Sequence, residues 1–115
     1  MKEETQRQKK INRQLQRDLG EMLQKDGASI QPGIMFTVTQ VRVTADLSIA
    51  RVYLSLFPTE NPQQIVEKVN DQSREIRYNL GKRVRHQLRV VPELHFYLDD
   101  SLDYINNIEE KLNED

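Results

Sequence analysis

Residues 34–57 read IMFTVTQVRVTADLSIARVYLSLF, a run rich in Val, Thr, Ile, Phe and Tyr in which apolar and polar residues alternate. Two-residue alternation of β-branched and aromatic side chains is the pattern of half-buried strands, and it predicts one strand over Ile34 to Thr44 and another over Ser48 to Phe57. Strict alternation in the first puts Thr37, Thr39, Val41 and Val43 on one face and Phe36, Val38, Gln40 and Arg42 on the other. In the second, Ala50, Val52, Leu54 and Leu56 make the cleaner buried face, opposite Ile49, Arg51, Tyr53 and Ser55. The link Thr44-Ala-Asp-Leu-Ser48 is short enough for an antiparallel hairpin, with Asp46 placed to bond the turn backbone.

Helical periodicity flanks this hairpin. Upstream, Ile11, Leu15, Leu19, Met22 and Leu23 form one apolar stripe, predicting a helix from Thr5 to Gln24 that Gly27 and Pro32-Gly33 stop. Its other face carries Arg7, Lys10, Arg13, Gln14, Arg17, Asp18 and Glu21. Downstream, Asn61 is expected as an N-cap, with Pro62 in the first helical position and Gln64 reaching back as in a capping box. Ile65, Val69, Ile76, Leu80 and Val84 then keep helical spacing to about Leu88, but the stripe weakens at Asp71-Gln72-Ser73-Arg74, predicting a bend or two helices meeting there. Leu94, Phe96 and Leu98 line one side of a third strand, and Leu102, Ile105, Ile108 and Leu112 space as a short acidic tail helix. The order implies an α+β two-layer domain with helices on one face of a small sheet. One domain is expected over residues 1–115, frayed at 1–4 and 113–115, with Val52, Leu54, Ile76, Leu80, Leu94 and Phe96 in its core.

Composition removes several function classes. Without Cys there is no disulfide framework or thiol nucleophile, and two His cannot build a multi-His metal site unaided. No GxGxxG, GxxxxGK[ST], GxSxG or HExxH occurs, so no enzyme, cofactor or metal is expected. No apolar run approaches the roughly 18 residues of a membrane span and Met1-Lys-Glu-Glu-Thr-Gln lacks a secretory signal, so a cytoplasmic protein with no membrane partner is expected. His86 and His95 read as surface or cleft residues, and Asp99, Asp100 and Asp103 as a solvated helix start rather than a cation site.

The net charge of −1 conceals strong segregation. Residues 1–25 carry +3, 26–73 carry −2, 74–95 carry +4 and 96–115 carry −6. Patch charge, not the total, governs attraction of anions. The densest constellation is Arg74, Arg77, Lys82, Arg83, Arg85 and Arg89, diluted within the helix by Glu75 alone. On a helix, Arg74, Arg77 and Arg85 share a broad sector while Ile76, Leu80 and Val84 take the other, a face able to track phosphates. The alternative for such a charge run is a solvated helix surface.

Across nearly its whole length the chain resembles the ribosome-binding factor A family of bacterial small-subunit assembly factors. The similar stretches are Arg13, Phe36 to Thr44 with Asp46-Leu47, Ala50-Arg51-Val52-Tyr53, Ile76-Arg77 and Arg89 to Ser101. The resemblance implies a type II KH-like fold, αββααβ, here with an additional short C-terminal helix. It further implies binding to precursor 16S rRNA and immature 30S subunits in late maturation, including growth in the cold. Family members carry Ala-x-Gly at the kink between the central helices, and this chain has Gln72-Ser73-Arg74. Losing Gly and gaining Arg74 predicts a shallower kink with a more electrostatic RNA contact. The expected RNA-binding residues are Arg77, Lys82, Arg83, Arg85, Arg89, Arg74 and Ser73, with Lys9, Lys10, Arg13 and Arg17 of the first helix. A monomeric, non-enzymatic factor follows; the rival is a module that contacts ribosomal proteins without direct RNA recognition.

Overall fold

The computed structural model describes residues 3–99, so the expected tail helix lies outside the described residues. Six elements run in the order α1 (Gln6–Ile30), β1 (Met35–Val43), β2 (Ile49–Phe57), α2 (Pro62–Asp71), α3 (Ser73–Val84) and β3 (Glu93–Leu98), the αββααβ order of the resemblance. The sheet runs β1-β2-β3, with β1 antiparallel and β3 parallel to β2. The three helices share one face of it, α1 chiefly over β1 and α2 over β3. All six residues expected in the core are buried, along with the α1 stripe Ile11, Leu15, Leu19, Met22 and Leu23.

Strand β1 departs from strict alternation. Val38 pairs with Leu54 and Gln40 with Tyr53, leaving Thr39 as an extra, bulged residue. The bulge reverses the phase, so Phe36 and Val38 point inward before it and Val41 and Val43 after it. Thr37 and Thr39 therefore do not share the face of Val41 and Val43. The phase slip was written in the apolar spacing itself, since Val38 and Val41 cannot face the same side of an unbroken strand. Thr39 Oγ1 donates to the Asp99 carboxylate, and Gln16 Nε2 of α1 donates to the carbonyls of Val38 (3.3 Å) and Thr39 (3.2 Å).

Gln16 belongs to a row of α1 amides. Gln8 Nε2 donates to the Val43 carbonyl (3.1 Å), and Asn12 Oδ1 accepts from the Val43 N–H (2.8 Å). Spaced four apart, Gln8, Asn12 and Gln16 fall on one side of the helix and close the exposed edge of β1. Asn70 at the end of α2 does the same for β3, donating to the Phe96 carbonyl (2.9 Å) and accepting from its N–H (2.8 Å).

Helix ends differ from those the sequence predicts, here at α1 and α2. Helix α1 continues through Gly27 to Ile30, and the Phe36 ring lies against that glycine: an added Cβ would sit 2.5 Å from ring atom Cδ1. Its capping box is at Thr5 and Gln8, each side chain bonded to the other's backbone N–H. Helix α2 does start at Pro62, but Asn61 and Gln64 make no such box; the Asn61 N–H donates to Thr59 Oγ1 instead (3.0 Å). The hairpin turn behaves as expected. Asp46 accepts from Thr44 Oγ1 (2.7 Å) and from the Ser48 N–H (3.1 Å) and Oγ (2.7 Å), and these bonds hold its carboxyl down at about 2. A lowered folded-state pKa means that the turn is reinforced above the ordinary carboxylate range and loosens as pH falls toward 2.

Candidate nucleic-acid interface

The expected bend is present, with α2 and α3 separated by Gln72 at φ −103°, ψ 12°. That conformation is open to any L-residue, so the break requires no glycine. Gln72 ties the two helices: its N–H bonds the Val69 carbonyl and its own carbonyl accepts from Ile76 N–H, both at 3.0 Å. Ser73 is half-buried in the first position of α3 and Arg74 beside it is exposed.

From Arg74 the exposed face of α3 descends through the pairs Arg77-Tyr78 and Gly81-Lys82 to the C-cap Arg85, steps of three or four residues that stack on one side. The helix ends at Val84, earlier than the expected Leu88, and a turn over residues 85–87 carries the chain back toward β3. The turn forms because Gln87 and Leu88 N–H groups both bond the Val84 carbonyl at 2.8 Å. It swings Arg89 off the helix axis yet onto the same surface, enclosing a shallow hollow of about 710 Å³ with the α3 cations. Gly81 forms part of its lining: a Cβ there would meet Val91 Cγ2 at 3.4 Å. Arg77 fixes the far wall, its Nε and Nη2 donating to the Val91 carbonyl at 3.1 and 2.7 Å. Lys82 Nζ sits 4.5 Å above the Tyr78 ring, a cation held over an aromatic face.

A second hollow of about 750 Å³ adjoins it, for Arg89 and Val90 line both. Its other walls include Arg7, Lys10 and Gln14 of α1 and Asp46 of the hairpin turn. The structure thus joins Arg74, Arg77, Lys82, Arg85, Arg89 and Lys10 into one basic surface, and adds Arg7. Arg7 stands on the predicted polar face of the first helix, three residues before Lys10, although the expected RNA-binding set of that helix starts at Lys9. The remaining expected residues are placed elsewhere. Arg83 turns to α1, its Nη2 lying 2.5 Å from Glu21 and 3.4 Å from Asp18. Arg13 and Arg17 line a separate depression beside Phe36 to Val38, Lys9 lines neither hollow, and Ser73 lies outside both. No group of His, Asp and Glu able to hold a metal ion occurs among the described residues, and no described helix is long and apolar enough to cross a membrane.

Comparison with known proteins agrees with this architecture. The model of the family described as ribosome-binding factor A matches residues 7–112. The chain is 46% identical over 111 residues to ribosome-binding factor A of Christiangramia forsetii, covering 96% of this chain and 85% of that one. With the Flavobacterium psychrophilum protein of the same name it shares 48% identity over 113 residues, covering 95% and 85%. Among solved structures, the crystal structure of ribosome-binding factor A from Thermus thermophilus is similar at a TM-score of 0.65 and 26% identity, covering 79% of this chain and 94% of that one. A homology model of the Thermus thermophilus protein, fitted into a cryo-electron-microscopy map of its complex with 30S, is similar at 0.61 and 28%, covering 77% and 91%.

Proposed function

The chain belongs to the ribosome-binding factor A family, and from that premise we propose that it is a non-enzymatic assembly factor of the small ribosomal subunit. It binds immature 30S subunits in the cytoplasm by contacting precursor 16S rRNA during late maturation, including growth in the cold. The observation that carries this reading is the convergence of Arg74, Arg77, Lys82, Arg85 and Arg89 on one hollow. Arg74, Arg85 and Arg89 form no ion pair with another described residue, so their charge is left for an external anion. Arg77 acts differently: with its guanidinium bonded to the Val91 carbonyl, it positions the wall on which Arg89 is carried. Position is the mechanism. A rigid two-layer body sets cations in a fixed pattern, and fixed phosphate contacts orient the protein on folded rRNA. At the kink, Arg74 supplies charge where the family's glycine offers close approach of the backbone.

A salt series separates this from binding through ribosomal proteins alone. Replacing Arg74, Arg85 and Arg89 by Gln is expected to flatten the salt dependence of binding to protein-free 16S rRNA by between about two and three units, since each phosphate contact contributes about 0.7 to 0.9. The circular dichroism spectrum is expected to stay unchanged. Undiminished rRNA binding by this variant would overturn the assigned surface, and intact association with immature 30S particles alongside it would favour the protein-contact reading.

A further inference from the structure

The helices cover one face of the sheet, and no described residue forms a layer over the other. That open face is polar, as a solvated sheet face would be, but an aromatic pair is set among its charged side chains. Its middle row sets Tyr53 against Tyr97, cross-strand partners whose rings stack with centroids 5.6 Å apart and planes 30° apart. The adjoining row sets Arg42, Arg51 and His95 side by side across all three strands. Like charges directly opposite one another destabilise a strand pair, so the Arg42–Arg51 pairing is a standing electrostatic cost that an anion would relieve. Glu93 lies 3.4 Å from His95, Asp99 is bonded to Thr39, and the Gln40 amide, turned so that its oxygen accepts at 2.6 and 3.0 Å, is the partner of Arg42 among the described residues. Further along the same face Phe57 is 70% exposed, two outward positions and about 13 Å beyond Tyr53 at roughly 3.3 Å per residue.

We propose that this open face is a second RNA-binding surface, specific for unpaired nucleotides: Tyr53 and Tyr97 stack on a base while Arg42 and Arg51 hold the adjoining phosphates. Aromatic rings beside a cation row suit single strands, whose bases are free to stack, and not a duplex, whose bases are already stacked. The proposal rests on the reading that the chain binds RNA and assigns the α3 hollow and the sheet to different RNA structures. The two surfaces lie on opposite sides of the molecule's layers, so one molecule is able to hold a paired and an unpaired segment together.

The test uses the full chain with two labelled probes, a 12-nucleotide oligouridylate and a blunt-ended RNA duplex. Joint replacement Tyr53→Ala and Tyr97→Ala is expected to weaken oligouridylate binding by about tenfold or more and to leave duplex binding unchanged. Joint replacement Tyr53→Phe and Tyr97→Phe, which keeps the rings, is expected to restore it. Arg51→Gln, which leaves the aromatic pair in place, is expected to lower the oligouridylate salt slope by about 0.7. Circular dichroism melts report whether each variant folds. Unchanged oligouridylate binding by the folded Ala variant overturns the second surface, and if the Arg74, Arg85 and Arg89 variant then loses both probes, the α3 reading stands without it. Unchanged oligouridylate binding with lost 30S association overturns it in favour of a protein contact. Wild-type chain that binds neither probe at low salt overturns both surfaces.

Discussion

Helices α1 and α3 both carry many cations and both rest an apolar stripe on the sheet, yet they divide the work of the molecule. Helix α1 has 25 residues, a reciprocal cap at Thr5 and Gln8, five buried apolar side chains and three amides bonded to the β1 edge. Its cations scatter over several surfaces. Helix α3 has 12 residues, no side-chain cap and only Ile76, Leu80 and Val84 buried, while four of its cations or flanking ones join Arg89 around one hollow. The lesson is that charge density along a helix does not make a surface. Convergence does, and a neighbouring segment, here the turn that returns Arg89, has to supply it.

The comparison breaks or sharpens at particular residues. The largest effect is expected in α1: Leu19 is fully buried, and Leu19→Ala is expected to cost about 2 to 5 kcal/mol in denaturant unfolding, as a large-to-small core change. A midpoint within error of wild type would mean that α1 does not carry the core. Next comes Asn12→Ala, which strands the buried Val43 N–H and also releases Glu4, the acceptor for Asn12 Nδ2. A loss of roughly 1 to 3 kcal/mol is expected, with faster amide exchange at Val43 and rRNA binding unaltered. Thr5→Ala removes half of the capping box and is expected to cost about 1 kcal/mol, read as a lower melting temperature. The smallest effect is assigned to Arg83, the cation linking the two helices. Because Arg83 and Glu21 are exposed and only Asp18 is half-buried, the pairing is expected to contribute about 1 kcal/mol or less, and Arg83→Gln is expected to leave rRNA affinity intact. A loss of affinity comparable to that of the Arg74, Arg85 and Arg89 variant would show that proximity in sequence, not shared orientation, governs recruitment.

Burial periodicity made most of the fold legible. Ile11, Leu15 and Leu19, or Val52 and Leu54, are inward because any other rotation of the element would expose them, and that constraint is local and repeated. The break at Gln72 was legible for the same reason, as a gap in the stripe. The Thr39 bulge is hard to read from sequence because it contributes one residue, whose trace is the inverted phase from Val38 to Val41. Composition favours a capping box at Asn61, yet the box forms at Thr5 and Gln8, which carry the same three-residue spacing. Part of the cationic surface is legible as density in residues 74–89, but its junction with Arg7 and Lys10 is not, because these meet Arg89 only after the chain has folded.

By itself the sequence determined the two periodicities, hence the element order, the inward faces, the bend and the segregation of charge, since each follows from relations between residues a few positions apart. Only the tertiary structure decided what the polar side chains are for. Gln8, Asn12, Gln16 and Asn70 resemble any solvated amides until a strand edge lies alongside them. Arg77, Arg83 and Arg85 are neighbours in one basic run, yet folding gives the first to a backbone carbonyl and the second to two carboxylates, and leaves the third facing solvent. An apolar side chain needs only to leave water, which its own helix or strand can arrange; a polar one is defined by its partner, and the partner is brought by the fold.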